Sequence, residues 1–181
     1  MDVDLVDRAK AGDRGAFAEL AASRIDGLFR IARLILRDQQ LAEDAVQEAL
    51  IRCWRQLPKL RDNGSFDGWL NRILYRAAVD ESNRRRRFVT TLQNLYSEPS
   101  VADNSQVIVE REALERAFVR LSIEQRAVVV LHHYADMPLG QVATTLGIPL
   151  GTVKSRHHYA LATLKTALER DGLALAEGLQ P

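Results

Sequence analysis

Cysteine is almost absent from this sequence of 181 residues, and its scarcity already excludes several kinds of protein. Cys53 is the only one, so no disulfide can form within the chain, and a cysteine-rich metal centre is ruled out. Its position on the apolar side of a predicted helix indicates a small buried side chain rather than a reactive thiol.

Long hydrophobic runs are missing as well. The longest aliphatic run, residues 127–131, is far shorter than the roughly 20 residues that cross a bilayer. The first ten residues are acidic and contain no apolar signal-peptide core. We therefore expect a cytoplasmic protein with no membrane insertion.

The usual signatures of enzyme sites are not found either. There is no glycine-rich phosphate loop, HExxH helix or nucleophile elbow. Two histidine pairs, His132-His133 and His157-His158, remain as candidates, but neighbours on a helix point about 100° apart, so neither pair should converge on one ion. We expect His132 and His133 on a helix surface or half-buried. We also expect no catalytic residue, no metal and no cofactor, and hence a protein that is not an enzyme.

Neither sign of charge is in large excess. The chain has 25 Lys+Arg and 24 Asp+Glu, for a net charge of +1. The charges are nevertheless segregated: residues 58–88 hold eight basic and four acidic side chains, and residues 89–124 hold three basic and six acidic. Such segregation suits a chain that binds nucleic acid with one face and a protein with another, so near-neutrality does not exclude nucleic acid.

Helical periodicity is what the sequence does contain, and it predicts an all-α fold. Apolar residues recur at helical spacing over residues 40–57 and 65–86, whereas residues 88–106 lose the pattern and collect Ser, Thr, Asn and Asp. We predict two small helical domains joined by a flexible linker, the C-terminal one a helix-turn-helix. The boundaries are 1–87 for the first domain, 88–106 for the linker, 107–170 for the second domain and 171–181 for a tail.

Several residues are predicted to begin helices. Asp13 and Ser65 are suited to N-caps, because a short polar side chain can accept a hydrogen bond from a free backbone N–H. Ser122 and Gln125 have the spacing of a capping box, for a helix that reaches Tyr134.

Residues 139–156 have the spacing of a helix-turn-helix. Leu139, Val142 and Leu146 lie on one helical face. Gly147 stands where a chain that leaves a helix often needs positive φ, and Pro149 cannot continue the first helix, so the helix ends in a short turn. A second helix begins at about Leu150. The second helix of such a motif enters the major groove of DNA, although an ordinary helical hairpin in a bundle has the same spacing.

The polar face of this second helix supports a contact with DNA. Its buried face should hold Val153, His157, Ala160, Leu161, Leu164 and Leu168. Hydroxyls, an imidazole and a phenol lie opposite, flanked by cations that can bind phosphates or guanine. Thr152 and the free N–H groups of the helix start also favour phosphate. A solvated helix face has a similar composition.

Two outward faces of the first domain each allow two interpretations. Over residues 65–86, cations alternate with an aromatic ring, which suits single-stranded nucleic acid as well as a solvated face. Over residues 40–57, acids lie beside an apolar residue, which suits a protein partner, although the residues alone favour a solvated face. The first face carries Asn71, Arg72, Tyr75, Arg76, Val79, Ser82, Asn83 and Arg86; the second carries Glu43, Asp44, Gln47, Glu48, Ile51, Arg52 and Arg55.

The order of three segments resembles the extracytoplasmic-function sigma factors, which are two-domain promoter-recognition subunits of bacterial RNA polymerase. AEDAVQEALIRCWRQL is similar to their acidic core-binding helix, FDGWLNRILYRAAVD to their minus-10 segment and IPLGTVKSR to their minus-35 recognition helix. The resemblance covers nearly the whole chain. It implies binding to core RNA polymerase and to promoter DNA, duplex at minus-35 and single-stranded at minus-10. An anti-sigma factor is a further implied partner.

The resemblance also implies a role for each surface. Core-polymerase binding falls to Asp44, Gln47, Glu48 and Ile51. The minus-10 DNA contacts fall to a loop that holds a flipped-out base and to the helix that follows it: Lys59, Arg61, Asn63, Ser65, Arg72, Tyr75, Arg76, Asn83 and Arg86. The minus-35 DNA contacts fall to Thr152, Lys154, Ser155, Arg156, His158 and Tyr159.

One rival is a conventional helix-turn-helix transcription regulator that acts without core polymerase. It would share residues 139–156, but it gives no reason for a basic-aromatic helix together with an acidic docking helix. Such a regulator usually dimerises on a palindromic site. Gel filtration, and DNA binding with and without core polymerase, distinguish the two.

Overall fold

The predicted all-α architecture is confirmed. A computed structural model of the chain describes residues 3–93 and 109–170, and these contain helices but no strand. The helices are α1 (Val3–Lys10), α2 (Arg14–Ala22), α3 (Ile25–Leu36), α4 (Gln39–Gln56), α5 (Phe66–Gln93), α6 (Val109–Val119), α7 (Ile123–Val129), α8 (Leu139–Leu146) and α9 (Leu150–Arg170). Short 3₁₀ turns cover Leu57–Lys59 and Asn63–Ser65, and a π turn covers Val130–Tyr134.

The first module is built on α3, α4 and α5, which pack against one another. Asp13 caps α2 as predicted, because its Oδ1 accepts a hydrogen bond from the Ala16 N–H at 3.0 Å. Asp38 does the same for α4 through the Leu41 N–H at 2.9 Å. The stripe of α4 is buried as its spacing predicted, and Cys53 within it is completely covered.

The ends of this module differ from the prediction in two ways. Helix α1 was not predicted; it buries Leu5, Val6 and Ala9 and packs on α2. Helix α5 continues to Gln93, six residues past the boundary placed at 87. The rest of the predicted linker, 94–106, and the tail 171–181 lie outside the described residues.

The second module contains the predicted helix-turn-helix. Ser122 and Gln125 form the expected capping box, although α7 ends at Val129 and the chain continues to Tyr134 as a π turn. Gly147 ends α8 in the left-handed region with φ +69°, the conformation its position predicted. Helix α9 then begins at Leu150 and packs its apolar stripe on α6 and α7.

The two modules share a continuous apolar core. Helix α3 contacts α7 and the π turn, and α5 contacts α8. Buried residues from both modules therefore belong to one cluster, which includes Ile31, Ile35, Leu74, Val128, Leu131 and Val142. A second cluster lies within the second module, between α6, α7 and α9.

Two arginines cross the boundary between the modules, which we call the seam. Arg126 of α7 donates from Nε to the Ile35 carbonyl at 2.6 Å, at the end of α3. Arg72 of α5 donates to the Thr144 carbonyl of α8. Among the helices of the described residues, none combines the length and apolar character required to span a membrane.

Replacing Gly147 with Ala should destabilise the protein, because an L-residue in the left-handed region costs about 1–2 kcal/mol. Gly151, in the first turn of α9, is the matched control: a Cβ there meets nothing within 4 Å. Gly151→Ala should be neutral or stabilising by up to about 1 kcal/mol. Urea unfolding measures both free energies, and an unchanged value for Gly147→Ala would contradict the assigned backbone conformation.

Candidate nucleic-acid and protein interfaces

The outer face of α9 is available to a ligand. Lys154, Ser155, His158 and Tyr159 are exposed, while Thr152 and Arg156 are half-buried. The His158 and Tyr159 rings meet edge to face, with centroids 5.7 Å apart, and Tyr159 is 63% exposed. A phenol exposed to this degree on a helix with a fully packed opposite face is available for contact with another molecule.

One hydroxyl on this face already has a partner within the helix. Ser155 Oγ donates to the Thr152 carbonyl at 3.0 Å. Its lone pairs remain able to accept a hydrogen bond, whereas Lys154 beside it can only donate. The face thus presents both acceptors and cations.

The basic-aromatic face of α5 is only partly open. Arg76 and Arg86 are exposed, whereas Arg72, Tyr75 and Asn83 are half-buried. Burial raises the pKa of the Tyr75 phenol, with Glu124 of α7 adding to the rise and Arg156 of α9 opposing it. Both charged neighbours belong to the second module, so the seam covers this part of α5.

Two neighbouring residues of α5 have unsatisfied polar atoms. Asn71 Oδ1 and Arg72 Nε are buried without a hydrogen-bond partner among the described residues. A buried polar group without a partner costs about 1–3 kcal/mol. For Arg72, which reaches across the seam to Thr144, this cost opposes the apolar contacts that hold the modules together.

The loop before α5 is fastened to α1. Lys10 Nζ donates to Asn63 Oδ1 at 2.8 Å, and Asn63 Nδ2 donates to Asp7 Oδ1. Both ends of the Asn63 amide are therefore engaged, and the sequence had not indicated Asp7 or Lys10 as its partners. Lys59, Arg61 and Ser65 are exposed around it.

Ser65 does not cap α5, and that prediction was wrong. Its hydroxyl donates to the Asp62 carbonyl at 2.8 Å instead of accepting from the helix. Asp62 is the capping residue here, because its Oδ1 accepts from the Gly64 N–H at 2.9 Å and begins the 3₁₀ turn Asn63–Ser65. The Asp62 carboxylate therefore caps the 3₁₀ turn before α5, and the Ser65 hydroxyl has no capping role.

The outward face of α4 combines acids with exposed apolar surface. Gln47 and Ile51 are exposed, and Asp44 and Glu48 are half-buried. Glu48 accepts from Arg52 Nε at 2.7 Å, while Arg52 Nη1 donates to Asp80 of α5 at 2.8 Å. This carboxylate therefore already has a cationic partner within the molecule.

Two apolar grooves flank this face, on either side of Leu50. One lies between α3 and α4 and is lined by Ile25, Asp26, Phe29, Glu43, Val46, Gln47 and Leu50. The other is lined by Arg14, Phe17, Leu50, Ile51, Trp54 and Arg55. The sequence had not indicated Ile25 or Phe29, because an apolar residue on a helix is equally compatible with a core face and with an exposed groove. A surface of acids beside apolar grooves suits a protein partner.

The histidines are arranged differently from the prediction. His132 and His133, expected to diverge, lie together with His157 of α9, and one ring nitrogen from each falls within 4.8 Å of the others. His132 is half-buried and His133 exposed, as expected, and His158 lies outside the group. The expectation for the first pair was wrong because it assumed α-helical geometry where the chain forms a π turn.

Comparison with known proteins matches both modules. Residues 20–88 match the family model described as Sigma-70 region 2, and residues 117–166 match Sigma-70, region 4. The chain is 35% identical over 168 residues to the ECF RNA polymerase sigma factor SigM of Mycobacterium tuberculosis (strain ATCC 25618 / H37Rv), covering 92% of this chain and 84% of that protein.

Two solved structures have a similar fold. CnrH, in complex with the cytosolic domain of CnrY, aligns with TM-score 0.67 and 25% identity over 94% of this chain and 98% of that one. The sigma factor RpoE of Bartonella quintana, in complex with the anti-sigma factor NepR, aligns with TM-score 0.70 and 23% identity over 84% of this chain and 96% of that one.

Replacing Lys10 with Met should loosen the loop that precedes α5. The change removes the ammonium from Asn63 and keeps the apolar stem. A partly exposed hydrogen bond of this kind contributes about 1 kcal/mol. Its loss should therefore speed amide exchange through local opening roughly fivefold. Hydrogen exchange of the amides at 60–65 measures it. Arg8→Met on the same helix is the control, since Arg8 pairs with Asp13 instead. Equal exchange in both variants would contradict the bracing role of α1.

Proposed function

The chain belongs to the sigma-70 family as an RNA polymerase sigma factor of the extracytoplasmic-function type, which directs core polymerase to promoters, and from this membership we propose how its surfaces divide that task. The second module, about residues 107–170, reads duplex minus-35 DNA. The first, about residues 1–87 and extended by α5 to Gln93, binds core polymerase and holds the opened minus-10 strand. The observation that carries the proposal is the exposed polar face of α9 opposite a fully buried apolar stripe.

Helix α9 is proposed to lie in the major groove at minus-35. The exposed side chains supply the two kinds of contact that groove recognition requires: Ser155, His158 and Tyr159 can bond to base edges, and Lys154 can bind phosphate. Thr152 and Arg156 lie at the margin of this face, half-buried. They are proposed to contact the adjoining backbone.

The first module is proposed to receive the minus-10 strand along the loop and α5. Lys59, Arg61 and Ser65 are exposed in the loop, and Arg76 and Arg86 are exposed on the helix, so cations follow one continuous path. Removing a base from the stack costs a few kcal/mol, which cationic backbone contacts and a fitted pocket can offset. Asn63 is proposed to brace the loop, since α1 engages its amide at both ends.

Full engagement of the minus-10 strand requires the seam to open. Arg72 and Tyr75 belong to the proposed DNA path, but Arg72 donates to Thr144 and Tyr75 is half-buried beside residues of α7 and α9. The unsatisfied Arg72 Nε favours opening, because separation would give this donor a phosphate or water oxygen as acceptor. Core polymerase and promoter are proposed to bind the open arrangement and thereby populate it.

The α4 face is proposed to bind core polymerase. Asp44, Gln47, Glu48 and Ile51 form an acidic stripe with an apolar residue, and the grooves beside Leu50 extend it. An anti-sigma factor is proposed as a competing partner, because CnrH was solved with the cytosolic domain of CnrY bound, and RpoE, whose fold is also similar, with the anti-sigma factor NepR bound. The chain itself is proposed to make or break no bond, and to act in the cytoplasm where the polymerase works.

Asp44→Arg should abolish binding to core polymerase without unfolding the protein. Reversing a charge within a docking face costs at least about 2 kcal/mol, or roughly 30-fold in affinity. The fold should persist, because the one side-chain bond of Asp44 is a long contact from Gln40 at 3.4 Å. Fluorescence binding to core polymerase and promoter-directed transcription measure the effect.

The control for this experiment is Glu19→Arg, which makes the same charge reversal at an exposed position on α2. It should leave affinity for core polymerase within about twofold. Equal affinities of the two variants would refute the assignment of α4 as the docking helix.

Lys154→Ala should weaken minus-35 binding and reduce its salt dependence by about one unit of slope, since one phosphate contact is lost. Lys165→Ala is the matched control: it is exposed on the same helix, about three turns further on. Titrating a minus-35 duplex at several salt concentrations gives both slopes. If the Lys154 variant keeps the wild-type slope, that side chain contacts no phosphate.

A further inference from the structure

Three imidazole rings from two elements meet inside the second module. One ligating nitrogen from each of His132, His133 and His157 lies within 4.8 Å of the others. The ring centroids are 4.6 Å apart for His132 and His133 and 5.1 Å apart for each of these with His157. Three nitrogen ligands at such distances are close to the requirement of one small cation.

The π turn is what brings two sequence neighbours to one side. The Ala135 N–H donates to the Val130 carbonyl at 3.0 Å, a bond that spans five residues rather than four. A wider turn rotates successive side chains by less than the 100° of an α-helix, so His132 and His133 can point the same way. The buried stripe of α9 packs on α7 and turns His157 toward them.

The nitrogens have the disposition that metal ligands require. His132 Nδ1 lies 2.7 Å from the Met137 carbonyl, which can only accept, so Nδ1 carries the proton and Nε2 keeps a free lone pair. A backbone carbonyl that fixes the tautomer in this way is the usual outer partner of a ligating histidine. His133 Nε2 and His157 Nε2 face each other at 2.9 Å, and in neutral rings one of them donates to the other.

Ligation by both Nε2 atoms requires the donating ring to hold its proton on Nδ1 instead, so the ion would replace this hydrogen bond and neither ring would lose a proton. With metal–nitrogen bonds of about 2.0–2.1 Å and tetrahedral angles, two ligating nitrogens lie about 3.3–3.4 Å apart. The His133 and His157 rings therefore need to separate by about half an ångström. His133 is exposed and can make this adjustment without disturbing the core.

We propose that His132, His133 and His157 bind one divalent transition-metal ion, with Zn²⁺ as the favoured occupant and water in the fourth position. Imidazole nitrogen suits zinc and its transition-metal neighbours, whereas Mg²⁺ and Ca²⁺ require oxygen ligands. The bound ion would join the π turn that follows α7 to α9 and fix the orientation of α9 relative to α7. Its place in the second module is separate from the surfaces assigned to polymerase and DNA.

Titration of the full chain with Co²⁺ and Zn²⁺ tests this proposal, after removal of any affinity tag and treatment with a chelator. We expect one equivalent of Co²⁺ to bind with the visible absorption of a tetrahedral site, and Zn²⁺ to displace it. His133→Asn should weaken binding at least about 100-fold, since loss of an outer partner alone costs about 10–100-fold. His158→Asn, which removes the neighbouring histidine outside the cluster, should bind as the wild type does.

Thermal unfolding distinguishes loss of the site from loss of the fold. Zn²⁺ should raise the Tm of the wild type and of His158→Asn, and leave His133→Asn and His157→Asn unchanged. In chelator, the exposed His133→Asn variant should melt close to the wild type. The proposal is overturned if the wild type binds Zn²⁺ no more tightly than His133→Asn does, or if His158→Asn loses binding to the same extent.

Discussion

The contact between Arg126 and the carboxyl end of helix α3 fixes the position of the second module. The last carbonyls of an α-helix have no partner within it, and the Ile35 carbonyl obtains one from Arg126 of α7. The same guanidinium donates to the carbonyls of Phe118 and Leu121, at the end of α6. Burial lowers the pKa of Arg126, but a guanidinium stays charged, and the negative ends of two helix dipoles surround it. One half-buried cation thus joins α3, α6 and α7. Because α9 packs on α7 and α8 packs on α9, the positions of α8 and α9 depend on this contact as well.

Closure of the seam competes with the proposed binding of the minus-10 strand to α5. Apolar contacts between α3 and α7 favour the closed arrangement, and so does the Arg126 bond. The same closure covers Arg72 and Tyr75 and leaves Arg72 Nε without a hydrogen-bond partner among the described residues, although another nitrogen of the same guanidinium donates to Thr144. Packing alone does not account for a buried nitrogen of this kind, since it costs about 1–3 kcal/mol. The proposed contact of Arg72 with DNA after the modules separate does account for it.

Features written over a few residues could be predicted from the sequence. The Asp13 cap, the Ser122–Gln125 box and the positive φ of Gly147 each depend on residues within four positions, and all three are confirmed. Ser65 failed because a second capping side chain, Asp62, lies three residues before it. The sequence did not predict helix α1, because its eight residues make too few turns for helical periodicity to be recognised.

Contacts between distant residues could not be predicted in the same way. Arg126 and Ile35 are 91 residues apart, and Asn63 lies 53 and 56 residues from its partners on α1. No periodicity within a helix encodes such pairs, because they depend on how whole helices dock. The sequence did identify most of the outward residues of α4 and α9, whereas on α5 only Arg76 and Arg86 of the predicted face are exposed. It did not indicate that the seam half-covers Arg72 and Tyr75 or that Arg52 already pairs with Glu48.

The two histidine pairs show that a π turn changes the directions in which neighbouring side chains point. His157 and His158 are neighbours on a regular helix, and the rotation between them turns one toward α7 and leaves the other on the outer face with Tyr159. His132 and His133 are neighbours in a π turn and stay together. A His-His pair therefore points in two directions on the regular helix α9, whereas in the π turn after α7 both rings of the pair lie on the same side. Since α9 carries the outer face as a rigid body, a restraint on His157 fixes the direction in which Lys154 and His158 point without contact with either. The proposed ion would act on recognition through helix orientation alone.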